Sequence, residues 1–252
     1  MTHGLYLYGI LPEQLNGDRT ILNTLQETLQ GLDQQPIETK EFAGLTLLYS
    51  AAKQSKYLAS RRNLLGHERV LETAMTAGYR NLLPLRFGLT VADWETVEAE
   101  LFVPYQDVMR SLLSKLDGYR EVSVKLFWEP EAELQQMMLE NYELANERDR
   151  HQGQTMGMDT VIKLGQAIER AMIDRRNTIV DQFRQKLSPL SIEQVENDVL
   201  SEAMIYNAAF LISWDAEELF SQYVDALDAQ FPDRFKIRYN NFTAPYNFAQ
   251  LN

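Results

Sequence analysis

From Arg120 to Trp128 the chain alternates with period two: Val122, Val124, Leu126 and Trp128 stand between Glu121, Ser123, Lys125 and Phe127. Successive side chains of a strand point to opposite faces, so the run predicts a strand with one buried face. The residues beyond Trp128 constrain the fold further. Helical periodicity extends over about 130–187, with Met158, Val161, Ile162, Ile168, Met172, Ile179, Phe183 and Leu187 on one stripe, and Ser188-Pro189 closes it. Residues 190–199 read as a short strand. Residues 203–212 are apolar on both faces, as a central strand requires. Asp215-x-x-Glu218 has the spacing of a capping box and predicts a helix carrying Leu219, Phe220, Tyr223, Val224 and Leu227. Phe235, Ile237 and Tyr239 alternate as a final strand. Strand–helix–strand–strand–helix–strand is the ferredoxin-like (βαββαβ) order, here modified by an enlarged helical insertion near 129–157.

The first half is also mixed. Leu5 to Ile10 is an apolar and aromatic run that reads as a buried strand, and residues 18–30 read as a helix stopped by Gly31. Two strand-like runs, 37–42 and 45–50, flank Ala43-Gly44 as a hairpin. A helix is expected over 57–77, ended by Gly78. The proline in Leu82–Gly88 makes that stretch an edge strand or an extended connector. A long amphipathic helix is expected over 91–116, with Trp94, Val97, Leu101, Tyr105, Val108, Leu112 and Leu116 inward and Pro104 kinking or splitting it. Asp117-Gly118 ends it. The chain is therefore read as α+β with two domains, 1–117 and 118–240.

Residues 241–252 form a C-terminal tail. The stretch from Tyr239 to Phe248 carries four aromatic rings, one proline and no charge. A free tail is normally polar, so this one is expected to pack on the body of the protein or on a partner. Phe242, Pro245, Tyr246 and Phe248 are the candidate interdomain or partner contacts.

Charge excludes several function classes. Net charge is −12; residues 1–117 hold 11 basic against 14 acidic side chains (−3), and the remaining 135 residues hold 13 against 22 (−9). Neither nucleic acid nor an anionic lipid membrane suits such a surface. No apolar run reaches the length of a membrane span, and no signal-peptide pattern opens the chain, so export is not expected. Without cysteine, thiol catalysis and cysteine-based metal sites are excluded.

Little else points to chemistry. The histidines His3, His67 and His151 are dispersed, and His67-Glu68 lacks the second histidine of a zinc-protease helix. His67 therefore reads as a surface or hydrogen-bonded residue. Glu217-Glu218, Glu95 with Glu98, and the Glu140–Arg150 cluster read as solvated helix faces. Gly153-x-x-x-Gly157 lacks the lysine and hydroxyl residue of a phosphate loop and reads as a helix break. Arg61-Arg62 and Arg175-Arg176 read as solvated basic pairs, with a site for an acidic partner as the alternative. No catalytic, cofactor-binding or metal-binding residue is assigned.

Six segments together resemble the gas vesicle protein F/L family (GvpF/GvpL). They are Tyr6-Leu7-Tyr8-Gly9-Ile10, His67-Glu68-Arg69-Val70-Leu71-Glu72, Leu83-Pro84-Leu85-Arg86-Phe87-Gly88, Gly118 with Glu121-Val122-Ser123-Val124-Lys125, Asn207-Ala208-Ala209-Phe210-Leu211, and Ala244-Pro245-Tyr246-Asn247-Phe248. The resemblance implies two α+β domains, the second ferredoxin-like, joined in part by the tail. It implies a minor, non-enzymatic gas vesicle component, inside the cell, with the inner gas-facing surface as a candidate position. Its expected partner is the small hydrophobic shell protein, kept from aggregating during nucleation or assembly and bound through the N-terminal domain; other accessory gas vesicle proteins are further partners. The competing reading is a ferredoxin-like ligand-binding or regulatory module. An enzyme using an acidic pair comes third.

Overall fold

The computed structural model describes residues 4–12, 29–150, 157–231 and 234–251. Most of the helix expected over 18–30 lies outside these residues, as do His3, His151 and Gly153. The chain divides into two compact units. The first comprises Met1–Val122, Leu211–Asp215 and Asn241–Asn252; the second comprises Ser123–Phe210 and Ala216–Asn240.

In the first unit, β1 (Leu5–Pro12) is buried because it lies inside a sheet of order β2-β3-β1-β4, with β5 also on β1. β2 (Glu38–Phe42) and β3 (Leu45–Ala51) form the expected hairpin. Ala43 and Gly44 turn it with φ of 48° and 73°, the pair of left-handed residues that matches strand twist. β1 pairs antiparallel with β3, and the register skips from Leu7↔Tyr49 to Gly9↔Leu48, leaving Tyr8 as a bulge. On the other side of β1, β4 (Leu83–Pro84) and β5 (Thr90–Val91) pair at separate points, and residues 85–89 loop out between them. The proline-containing stretch is thus an edge, as its chemistry requires.

Helix α1 (Arg61–Thr76) starts later than residue 57 because Ser60 caps it, accepting the Asn63 N–H at 3.3 Å. Leu58 is left outside the helix and exposed.

The long helix after β5 departs from its expected face. It runs as α2 (Trp94–Val97), a π turn (Glu98–Phe102) and α3 (Val103–Leu116). Pro104 has no N–H to give Glu100 and would clash with its carbonyl in a regular helix; the wider turn accommodates both. A π turn takes one more residue, so the inward stripe shifts by one position from Phe102 through Leu113. Val97 and Leu116 stay buried, but Phe102, Met109 and Leu113 replace Leu101, Val108 and Leu112 in the interior.

The second sheet has the order β7-β8-β6-β9 and is antiparallel. Its strands are β6 (Tyr119–Trp128), β7 (Glu193–Glu196), β8 (Met204–Ser213) and β9 (Phe235–Thr243). β8 is buried on both faces, as a central strand should be. β9 continues through Thr243, three residues into the segment read as the tail. Between β6 and β7 stand α4 (Pro130–Glu140), α5 (Tyr142–Arg150) and α6 (Met158–Leu187). Met137, Met138, Leu144 and Leu164 give these helices a core of their own. Only part of the expected α6 stripe is inside: Ile179, Phe183 and Leu187 are buried, whereas Met158, Val161 and Ile162 are exposed. Helix α7 (Glu217–Gln230) is not opened by a capping box. Asp215 falls in a 3-10 turn, Trp214–Ala216, so Ala216 takes the cap position and no side chain caps it. Among the described residues no helix is long and apolar enough to cross a membrane.

One ionic cluster in the second unit corrects the reading of Arg175 as a solvated cation. The buried Glu133 carboxylate accepts from Arg175 Nε at 2.7 Å and, bidentately, from Arg234 at 2.9 and 2.7 Å. Arg175 also donates to Glu140. Desolvation would raise the Glu133 pKa, but the bonds from Arg234 and Arg175 outweigh it and hold the group ionised. Glu133→Gln leaves Arg175 with Glu140 and the part-exposed Arg234 with solvent, so the loss is that of charge-assisted hydrogen bonds, roughly 1.5–3 kcal/mol. The variant is therefore expected to destabilise the protein by about 2 kcal/mol, read as a lower urea midpoint with an unchanged slope. An unchanged midpoint would show that the cluster contributes nothing.

Candidate functional site

Three of the segments that carry the family resemblance meet in the core of the first unit. Tyr6 and Tyr8 of β1 are fully buried with ring centroids 4.8 Å apart. A buried phenol needs hydrogen-bond partners, and both have them. Tyr8 Oη accepts the Leu32 N–H at 2.8 Å and lies 3.0 Å from Ser50 Oγ. A Cβ on Gly31 would fall 2.1 Å from Tyr8 Oη, so this close approach of the backbone requires glycine.

Tyr6 leads to His67. Its hydroxyl accepts the Gly88 N–H at 2.9 Å and lies 3.0 Å from His67 Nδ1. On the other side of the ring, His67 Nε2 is 3.1 Å from the Leu85 carbonyl oxygen. A carbonyl only accepts, so Nε2 carries the proton and the bare Nδ1 accepts the Tyr6 O–H. Gly88 reaches its position with φ of 91°, a conformation natural to glycine. Tyr8 stacks on the imidazole at 5.4 Å, Phe87 meets it edge-on at 5.8 Å, and Tyr246 lies at 6.5 Å. Burial drives the His67 pKa down to about 4, against the opposing bond to Leu85. With both nitrogens engaged and the ring neutral, His67 is a structural pivot, the hydrogen-bonded one of the two roles expected for it. Among the described residues no group of three or more His, Asp or Glu side chains is arranged to hold a metal ion.

The four tail residues singled out by sequence all lie within the first unit. Phe242 meets Trp214 edge-on at 6.2 Å and lies 5.3 Å from the Arg120 guanidinium, which also bonds the Asn241 carbonyl. Arg120 and Arg80 lie over Trp214 at 4.5 and 4.8 Å. Pro245 and Phe248 are buried, with the Lys115 ammonium 5.8 Å from the Phe248 ring. Tyr246 joins the His67 cluster. A turn folds the segment back, the Phe248 N–H reaching the Pro245 carbonyl at 3.1 Å. Together with residues 84–89 and Leu101, the tail lines an open pocket of about 430 Å³; Leu85, Phe87, Leu89, Tyr246 and Leu251 are among its lining.

Periodicity missed Glu121. The alternation of β6 assigns it to the outer face, yet it is only 3% exposed. Its oxygens accept from the Asn247 main-chain N–H at 2.9 Å and from Asn247 Nδ2 at 2.6 Å. Burial raises its pKa to about 7, and the two Asn247 bonds pull the other way without prevailing. No local pattern links Glu121 to a residue so far along the chain; the pairing exists only in the folded tail.

The sequence signature of the gas vesicle synthesis protein GvpL/GvpF family matches residues 4–250. Gas vesicle protein F of Nostoc sp. (strain PCC 7120 / SAG 25.82 / UTEX 2576) is 52% identical over 251 residues, covering 100% of both chains. Gas vesicle protein F of Dolichospermum flosaquae is 50% identical, covering 100% of this chain and 99% of the relative. The crystal structure of GvpF from Anabaena sp. PCC7120 is similar with a TM-score of 0.84 and 51% identity, over 99% of this chain and 97% of the other.

His67 and Glu121 make opposing contributions to the pH dependence of stability. The folded state holds His67 below its unfolded pKa, so its contribution is lost as pH falls from about 6.5 to about 4. It holds Glu121 above its unfolded value, so that contribution is lost as pH rises from about 4.5 to about 7. Each slope is at most about 1.4 kcal/mol per pH unit, and the two cancel where the windows overlap. His67→Gln should unmask a melting temperature that falls as pH rises through this range. Glu121→Gln should unmask one that rises. Thermal melts at pH 4.5, 5.5 and 6.5 check this; parallel curves for both variants and the wild type would refute it.

Proposed function

Because the chain belongs to the gas vesicle synthesis protein GvpL/GvpF family, we propose that it is a non-enzymatic accessory component of gas vesicles that binds the small hydrophobic shell protein and keeps it soluble for nucleation and assembly. A shell subunit with large apolar surfaces aggregates before it assembles unless something covers them. The covering surface must itself be apolar and carry little charge, because charged groups resist desolvation.

One observation favours the first unit as the binding surface. At the entrance to α1, Leu58, Leu64 and Leu65 are 76%, 41% and 47% exposed within eight residues of chain. They lie in the half with net charge −3, whereas the exposed Met158, Val161 and Ile162 of α6 lie in the half with −9. The exposed Lys56, Arg61 and Arg62 stand among these leucines, so contact there would be made by the leucine side chains with the basic groups kept at the rim.

The second half is read as the modified ferredoxin-like domain. This is supported by the order β6, helices, β7, β8, α7, β9 and by the sheet order β7-β8-β6-β9, which matches the interleaved pairing of that fold. In this reading it is the scaffold, with α4 to α6 as its enlarged first crossover.

Mixing the purified shell subunit with the protein tests the proposal. The expected outcome is a soluble complex that sediments apart from aggregated shell protein. Replacing Leu58, Leu64 and Leu65 by Ser should weaken association about tenfold, ~1.4 kcal/mol, without changing the melting temperature. Replacing Met158, Val161 and Ile162 by Ser should leave it unchanged. Loss with the second set alone would move the surface to α6; no gain in shell solubility with the wild type would end the reading.

A further inference from the structure

We propose that Glu121 and Asn247 form a pH-sensitive latch that ties the C-terminal strap, residues 244–251, onto the first unit, and that ionisation of Glu121 loosens it. The proposal does not depend on which partner the first unit binds.

The geometry is that of a clasp. Glu121 sits on β6, Asn247 at the bend of the strap, and both oxygens of the carboxyl are engaged by this one residue. A nearly fully buried carboxyl is ordinarily paired with a cation. Here the neutral Asn247 takes the cation's place, in contrast to Glu133, which has two arginines. The carboxyl is thus held where its charged form is poorly stabilised, and its pKa stands near 7. The 2.6 Å contact to the Asn247 amide suits both states. The carboxylate accepts from Nδ2; the acid can donate to Oδ1 once the amide turns over.

Groups of both signs face the strap. Tyr246, on the strap, feels Glu68 and Glu72 of α1 as well as Glu121. The Glu72 carboxyl is itself raised by burial and by Glu68. Ionising Glu121 adds negative charge to this neighbourhood. Three cations oppose it: Lys115 of α3 over the Phe248 ring, Arg86 in the pocket the strap lines, and Arg120, which bonds the Asn241 carbonyl. Release of the strap would remove Tyr246, Ala249 and Leu251 from the 430 Å³ pocket and uncover Leu85, Phe87 and Leu89 on its other side. The latch would therefore control an apolar surface.

Hydrogen–deuterium exchange of the full-length protein at pH 6.0 and 8.5 tests this, comparing wild type and Glu121→Gln at each pH so that intrinsic exchange rates cancel. If Glu121 titrates near 7 in the closed strap and near the ordinary carboxylate value in the open one, wild-type opening of residues 246–251 rises about tenfold over this interval. The Gln variant should show no such rise. Asn247→Asp, which sets a second carboxyl against the first, should release the strap at lower pH. An identical wild-type to Gln ratio at both pH values would overturn the proposal. So would wild-type strap protection that, once corrected for intrinsic rates, tracks the amides of β1 across the same range, a measurement needing no variant.

Discussion

The first unit is organised around a hydrogen-bond chain in an apolar interior: Gly88 N–H to Tyr6 Oη, Tyr6 O–H to His67 Nδ1, His67 Nε2–H to the Leu85 carbonyl. Each link satisfies a polar group that would otherwise cost roughly 1–3 kcal/mol to bury. The chain also joins three parts distant in sequence. β1 supplies the phenol, α1 the imidazole, and the loop between β4 and β5 both main-chain ends. Around it, Tyr8, Phe87 and Tyr246 close the ring faces to water. Short motifs scattered along the sequence thus acquire a common physical purpose: they are the contact points of one buried network.

Much of the architecture was legible from local pattern. β1, the β2–β3 hairpin with its Ala43-Gly44 turn, β6 and the doubly buried β8 follow from periodicity, because burial in a sheet writes itself directly into alternation or its absence. The errors arise where local chemistry was overruled. Ser60 shortened α1, a 3-10 turn displaced the Asp215 cap, and the π turn before Pro104 rotated the interior of α3 by one position. Each reflects competition among nearby hydrogen-bonding groups that a stripe of apolar residues cannot report.

The centre of the first unit was only half visible. Sequence singled out Phe242, Pro245, Tyr246 and Phe248 as residues in need of a place, since aromatic rings in an uncharged tail must be sheltered. Where they go depends on Glu121, Trp214, Arg120 and His67, which look ordinary along the chain. Glu121 and Arg175 show the difficulty from both sides. One occupied a nominally outer strand position and the other a nominally solvated helix position, yet both are largely enclosed. Charged residues are assigned to solvent by default, and only a tertiary partner reveals the exception.

The π turn at Glu98–Phe102 also bears on how relatives of this chain should be aligned. One residue of an α-helix corresponds to a rotation of about 100°. A homologue of equal length with a regular helix there would keep Val97 in place yet present Leu101 and Val108 equivalents inward, whereas one shorter by a residue would keep the Phe102 and Met109 equivalents inside. The form of the turn before Pro104 is therefore an angular setting. Two sequences of equal length can share all their apolar residues and still bury different ones.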